Sequence, residues 1–354
     1  MSRILERIWR APTQLLGEGG NGTVKSDGAA DRVIKVSERT ITAANAIEKI
    51  TKLHESLKGE TVCGHGCDDL FLRLSGVSVG KNSVSQTLLP QGFSLLESDG
   101  DFPGPSCGKN DGPVACVKKT QCSTSWGNDG RLRPEAVVDA MKDLATALYC
   151  MHRAGLAHGD VKPGQVIMDC RAGVLRSLLA DYDTLVPFSP LCQVRPSGLE
   201  WSISTPYFTS PQRAKFQQTF ASNNYEIIDA YVRSENKLEV ATKSSDVVVA
   251  KREKEAALKK LVDAMPHDTY DAVADDLYAL RKTLFHVFKA AHGNRTYRIK
   301  LALRSVIDSL KKCVHNDRSR DEPQVSRRFD EISTLRYNVA DRWMQFFVDL
   351  DTKA

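Results

Sequence analysis

An α+β fold in two lobes is the expectation for this 354-residue chain. Three observations carry it. Strand-like runs crowd the first part of the sequence around one helix, the later part reads as mainly helical, and the length exceeds one domain of ~150 residues. The composition, 41 % hydrophobic and 26 % charged, is that of a soluble globular protein. It excludes a collagen-like, mainly disordered or membrane-spanning chain, and no apolar run reaches the ~18 residues a bilayer requires.

The elements follow in order. At the start, Ile4, Leu5, Ile8 and Trp9 alternate with Arg3, Glu6, Arg7 and Arg10. That pattern lacks the apolar core of a secretory signal and suits a short amphipathic helix, packed on the first lobe or lying on a membrane surface. Residues 17–36 predict a hairpin: a Gly-rich turn, Thr23-Val24-Lys25, a turn at Ser26-Asp27-Gly28, then Val33-Ile34-Lys35-Val36. Residues 40–57 predict a helix from the spacing of Ala44, Ile47, Ile50, Leu53 and Leu57, and Gly59 is placed to end it. Two strand-like runs lie within 71–89. Residues 98–130, rich in Gly, Ser, Asp, Asn and Pro, read as a loop or insertion. Pro134 opens a second helix with Ala136, Val137, Ala140, Leu144, Ala147, Leu148 and Met151 on one face. Short strands flank a loop at 158–165. Beyond it, residues 213–270 are highly polar, with a charged helix around 250–264.

The net charge is +5, and residues 281–354, with 16 Lys/Arg against 9 Asp/Glu, carry a surplus of +7. Acids interleave with the bases, so this is surface or docking charge; no nucleic-acid partner is expected. Nine cysteines, an odd number in a long chain, predict reduced thiols in a cytosolic compartment. Cys63-Gly64-His65-Gly66-Cys67, with Cys107, Cys116 and Cys122 after it, has metal-ligand residue types but not the spacing of a zinc pair, so free thiols are preferred to a zinc site. Cys150 and Cys170, in apolar surroundings, are expected in the core.

Two motifs carry chemistry. Gly17-Glu18-Gly19-Gly20-Asn21-Gly22-Thr23-Val24 is a GxGxxGxV run, either a plain glycine-rich turn or a loop whose amides approach phosphate oxygens. A strand follows it where a dinucleotide fold needs a helix. Lys35, eleven residues beyond Val24, could pair with nucleotide phosphates. The second motif is His158-Gly159-Asp160-Val161-Lys162-Pro163-Gly164-Gln165, followed by the apolar run and acids Leu178-Leu179-Ala180-Asp181-Tyr182-Asp183.

Together, and in this order, these segments resemble the eukaryotic-like serine/threonine protein-kinase superfamily, from about residue 16 to at least 280. Ser204-Thr205-Pro206 through Ser210-Pro211-Gln212, and Asp275-Asp276-Leu277-Tyr278, extend the likeness. It implies a small β-rich lobe over 1–91 and a larger, mainly helical lobe over 92–354. The hinge would lie near 89–92, with insertions near 98–130 and 221–270. It implies ATP and Mg²⁺ (or Mn²⁺) as cofactors and a protein with a Ser or Thr acceptor as substrate. Gly17, Gly19 and Gly22 would cover the phosphates, with Val24, Val33 and Leu89 around the nucleotide and Lys35 on its α- and β-phosphates. Glu48, or alternatively Glu55, would be the helix partner of Lys35. Asp160 would take the hydroxyl proton, Lys162 would neutralise the transferring phosphate, and Thr205 would stand beside them. Asp181 and Gln165 would hold the metal. Asp276 would brace the catalytic loop.

Four departures qualify these implications. Gly159 stands where the family has an arginine that answers a phosphorylated loop, which implies activity without such phosphorylation. Gln165 replaces a metal-binding asparagine, Asp183 replaces a glycine, and Gln212 replaces a glutamate that pairs with a buried arginine. A pseudokinase, or a kinase fold serving adenylylation or a small-molecule substrate, therefore stays open. The insertion at 221–270 could recognise a partner or be a tolerated surface addition. The divergence suits a bacterial or viral effector, cytoplasmic or delivered into a host cell.

Overall fold

The computed structural model describes residues 15–19, 22–26, 33–37, 40–79, 84–89, 93–95, 122–126, 132–171, 173–195, 204–265, 268–321 and 331–353. The helix expected before residue 15 and most of the expected 98–130 insertion lie outside them.

The first part is a strand-rich layer. Strands β1 (Leu15–Gly19), β2 (Gly22–Ser26) and β3 (Val33–Ser37) precede helix α1 (Thr40–Leu57). A small hairpin of β4 (Thr61–Val62) and β5 (His65–Gly66) follows, then β6 (Arg73–Val79) and β7 (Val84–Leu89). The main sheet is antiparallel in the order β1-β2-β3-β7-β6. Ile50, Leu53 and Leu57 of α1 are buried, which matches the apolar stripe, and Gly59 takes a positive φ of 76° just past the helix end.

The rest is mostly helical. Strand β8 (Phe93–Ser94) leads towards α2 (Pro134–Arg153), whose Val137, Ala140, Leu144, Ala147, Leu148 and Met151 are all buried. Strand β9 (Leu156–Ala157), the hairpin of β10 (Val166–Arg171) and β11 (Val174–Leu179), and the short β12 (Val186–Pro187) and β13 (Gln193–Val194) come next. Helix α3 (Pro211–Asn223) is followed by α4 (Tyr225–Val240) and α5 (Ser244–Asp263). Strand β14 (Tyr270–Asp271), then α6 (Ala272–His292), α7 (Thr296–Arg320) and α8 (Glu331–Lys353) complete the described chain. The polar 221–270 segment is a helical hairpin of α4 and α5, tied by Lys237 to Glu253 at 2.8 Å. Phe220, Leu261, Met265 and Tyr270 pack beneath it as a satellite core. The architecture is mixed α+β and mostly helical, and no helix among the described residues is long and apolar enough to cross a membrane.

The cysteines correct the expectation of reduced thiols. Cys63–Cys313, Cys67–Cys150 and Cys122–Cys170 are disulfides, and Cys192 is a buried free thiol. Cys150 and Cys170 are indeed buried, but as bonded pairs. Cys63, Cys67 and Cys122 have no thiolate to offer zinc, and among the described residues no group of three or more His, Cys, Asp or Glu side chains gathers as metal ligands. The reason is spatial: the fold brings cysteines 250 and 83 positions apart within bonding reach, which spacing along the chain does not reveal.

Candidate active site

The loop after β9 is pinned from inside. Asp276, just past the first turn of α6 and 1 % exposed, accepts hydrogen bonds from the backbone N–H of His158 (2.7 Å) and Gly159 (2.8 Å). It also pairs with Nε2 of His152 at 3.0 Å, while the indole N–H of Trp343 donates to Nδ1 of that ring and so sets the proton on Nε2. Burial opposes the Asp276 charge, yet these donors hold its carboxyl below the ordinary value. His158 Nε2 bonds the carbonyl of Ala180 at 2.9 Å, which ties the loop to the residue before Asp181.

On the outer side of this loop three polar side chains meet. Lys162 Nζ donates to Asp160 Oδ2 at 2.6 Å and to Thr205 Oγ1 at 2.8 Å. The backbone N–H of Thr205 donates to Asp160 Oδ1 at 2.8 Å. Two segments 45 residues apart thus lock one carboxylate and one ammonium in a fixed triangle.

A second constellation joins β3 to the end of β11. Lys35, opposite Val24 in β2 and Gln86 in β7, donates to Asp181 Oδ1 at 2.5 Å and to Asp183 Oδ2 at 2.6 Å. Gln165 Nε2 donates to Asp181 Oδ2 at 2.6 Å. Asp181 has φ +65°, an uncommon backbone state for a non-glycine residue and one found at functional sites. Burial works against the Lys35 charge, but the two carboxylates raise its pKa above the ordinary value. Burial likewise opposes ionisation of Asp181, and Lys35 overcomes it to hold that carboxyl low. Asp183 goes the other way: burial, joined by the neighbouring charge of Asp181, outweighs Lys35 and raises it.

The remaining candidates divide. Gly17 and Gly19 lie in β1 and Gly22 in β2, with Gly19 directly opposite Gly22. Val33 is buried in β3, Val24 lies in β2 and Leu89 ends β7, all in the sheet that carries Lys35. Glu48 is not brought to Lys35. It is exposed and pairs with Lys52 one turn along α1 at 2.7 Å, and Glu55 is exposed too. The cause is helix phase: with Ile50 and Leu53 buried, glutamates two positions away point about 200° off the packed stripe.

Three groups escaped the sequence reading in whole or part. Asp183, expected only as a replacement for a glycine, is a partner of Lys35. Arg213, 1 % exposed, donates to the Gly159 carbonyl at 2.5 Å and to Asp275 Oδ2 at 2.8 Å. Asp275 also accepts the backbone N–H of Ser210 at 3.0 Å. Arg213 follows Gln212 directly, and its carboxylate partner lies in the double acid Asp275-Asp276.

The donor set suits a small hard cation. Asp181 offers a carboxylate whose Oδ2 accepts from the Gln165 amide nitrogen, the Gln165 amide also carries an oxygen, and Asp183 Oδ1 is buried without a hydrogen-bond partner. A magnesium-like ion takes one or two such groups together with phosphate oxygens, so these residues fit it.

No family model matches the chain. It is similar to the serine/threonine-protein kinase PkaB of Streptomyces coelicolor, with 31 % identity over 101 residues, covering 27 % of this chain and 24 % of that protein. The match thus spans about a quarter of the curated relative's length and is a partial kinase-like likeness.

Proposed function

We propose that the chain is an ATP-dependent serine/threonine protein kinase of divergent, two-lobed type. The observation that carries this reading is the triangle of Asp160, Lys162 and Thr205 beside the Lys35–Asp181 pair. The partial likeness to a serine/threonine kinase supports it. Asp160 accepts the proton of a Ser or Thr hydroxyl as its oxygen bonds the γ-phosphorus and the bond to the leaving ADP oxygen breaks. Lys162 balances charge on the transferred phosphoryl group, held to that task by Thr205. Lys35 binds the α- and β-phosphates, and the strand glycines Gly17, Gly19 and Gly22 let backbone come close to them. Asp181 and Gln165 would hold Mg²⁺ or Mn²⁺, which supplies neutralisation of phosphate charge when bound. The Lys162-Pro163 and Thr205-Pro206 steps favour a protein acceptor.

The test uses γ- and α-labelled ATP, Mg²⁺ or Mn²⁺ and a generic protein. The γ-label is expected on protein, and Asp160→Ala lowers transfer at least ~10³-fold while nucleotide binding persists. Transfer of the α-label would replace the proposal with adenylylation. Nucleotide binding without transfer would replace it with a pseudokinase.

A further inference from the structure

We propose that Asp183 is the positioning residue for Lys35, filling the place that a glutamate of the following helix holds in protein kinases. The proposal rests on the nucleotide-binding role given to Lys35 above. In a kinase the strand lysine must be held by a carboxylate so that its ammonium faces the phosphates. Here that carboxylate does not come from α1. Glu48 is committed to Lys52 in solvent, and Glu55 lies on the same outward side of the buried stripe.

Asp183 meets the requirement instead. It is 6 % exposed and its Oδ2 lies 2.6 Å from Lys35 Nζ. It follows the metal-binding candidate Asp181 by two positions in a rigid turn, Tyr182–Thr184. That turn is anchored at both ends: the Tyr182 hydroxyl bonds the Leu179 carbonyl at 2.5 Å, and Thr184 Oγ1 donates to the His158 carbonyl at 2.8 Å. Asp181 also touches Lys35, but it is the carboxylate that a cation would claim; Asp183 is then the partner that stays. The replacement of a small flexible residue by an acid at 183 thus compensates for a helix that offers none. A consequence is that Lys35 is positioned by the chain segment beside the catalytic loop, so swinging α1 away does not unpair it.

The full-length protein is titrated with a fluorescent ATP analogue, with Mg²⁺ and again in EDTA. Asp183→Asn should weaken binding about tenfold in both conditions, Asp183→Glu should recover part of it, and Glu48→Gln and Glu55→Gln should bind within twofold of wild type. Because Asp183 acts through Lys35, Asp183→Asn should add no further loss in a Lys35→Met background, whereas a residue that merely supports the fold would add its loss in full. Wild-type affinity or tighter binding in Asp183→Asn, an equal loss in Glu48→Gln, or additive losses in the double variant would overturn the proposal while leaving the kinase reading intact. A wild type that binds no nucleotide overturns both.

Discussion

At Gly159 the backbone has φ +80°, and a Cβ there would stand 2.8 Å from the Thr184 carbonyl oxygen. Thr184 has no room to retreat, since its own hydroxyl holds the His158 carbonyl. The space an arginine side chain would need at this position is already flanked by the Arg213 guanidinium, 3.6 Å from the same point. Gly159 is therefore dictated by local geometry, and the cationic group bonded to the loop comes from α3. Replacing Gly159 by Ala combines a left-handed backbone penalty with a clash against backbone, and should cost about 2–4 kcal/mol. Urea denaturation of the two proteins measures it, and a loss below half a kcal/mol would show that the turn yields. Arg213 is itself paired internally with Asp275.

Helix α6 braces the loop at 158–165 from its N-terminal end. Asp271 caps it by accepting the Ala274 N–H at 2.9 Å; Asp275, in the first turn, reaches Arg213 and Ser210, and Asp276, the next residue, reaches the loop amides. Asp276→Asn removes a buried charge that satisfies two backbone donors and His152, and should cost about 2–4 kcal/mol at neutral pH. The sign of the pH dependence follows from its depressed pKa. The stabilisation is present above the ordinary 3.8 and is lost as pH falls through the lower folded-state value. The stability gap between wild type and Asp276→Asn should therefore narrow as pH drops below 3.8; chemical denaturation at a series of pH values checks it, and a constant gap would contradict it. This element also shows what was legible beforehand. Asp160, Lys162, Asp181 and Asp276 could be named because their motifs and order resemble the kinase superfamily. Glu48 and Glu55 stayed open as helix partners of Lys35, since residue type and spacing do not choose between them. Yet the burial stripe of α1 already turned Glu48 and Glu55 outward. Arg213 was out of reach, since its partners Gly159 and Asp275 lie 54 and 62 positions away.

At the scale of the whole molecule, covalent links join parts that the chain separates widely. The turn that carries Cys63 and opens at Cys67 lies between α1 and β6, and its two cysteines bond to Cys313 of α7 and Cys150 of α2. The strand-rich part is thereby fastened to two helices of the helical part. Cys122–Cys170 fastens the described end of the 98–130 segment to β10. Such bonds persist where the surroundings are oxidising, so cysteine number no longer supports a cytosolic setting. Their main effect is to restrict the unfolded chain, at about 2–4 kcal/mol for each bond. Cys192 differs: burial, with Asp271 beside it, pushes its thiol up to about 12, so it stays protonated and unreactive in the folded protein. Two measurements follow from this contrast. Alkylation of the denatured, unreduced protein should label Cys192 and spare Cys63, Cys67, Cys122, Cys150, Cys170 and Cys313, and labelling of those six would show that the links do not form. Addition of a strong dithiol should then lower the denaturation midpoint, and the double variant Cys63→Ser, Cys67→Ser should reproduce most of that fall. If that variant unfolds at the wild-type midpoint while Cys122→Ser does not, the fastening between the strand-rich and helical parts contributes little, and the stabilising link is the one to β10.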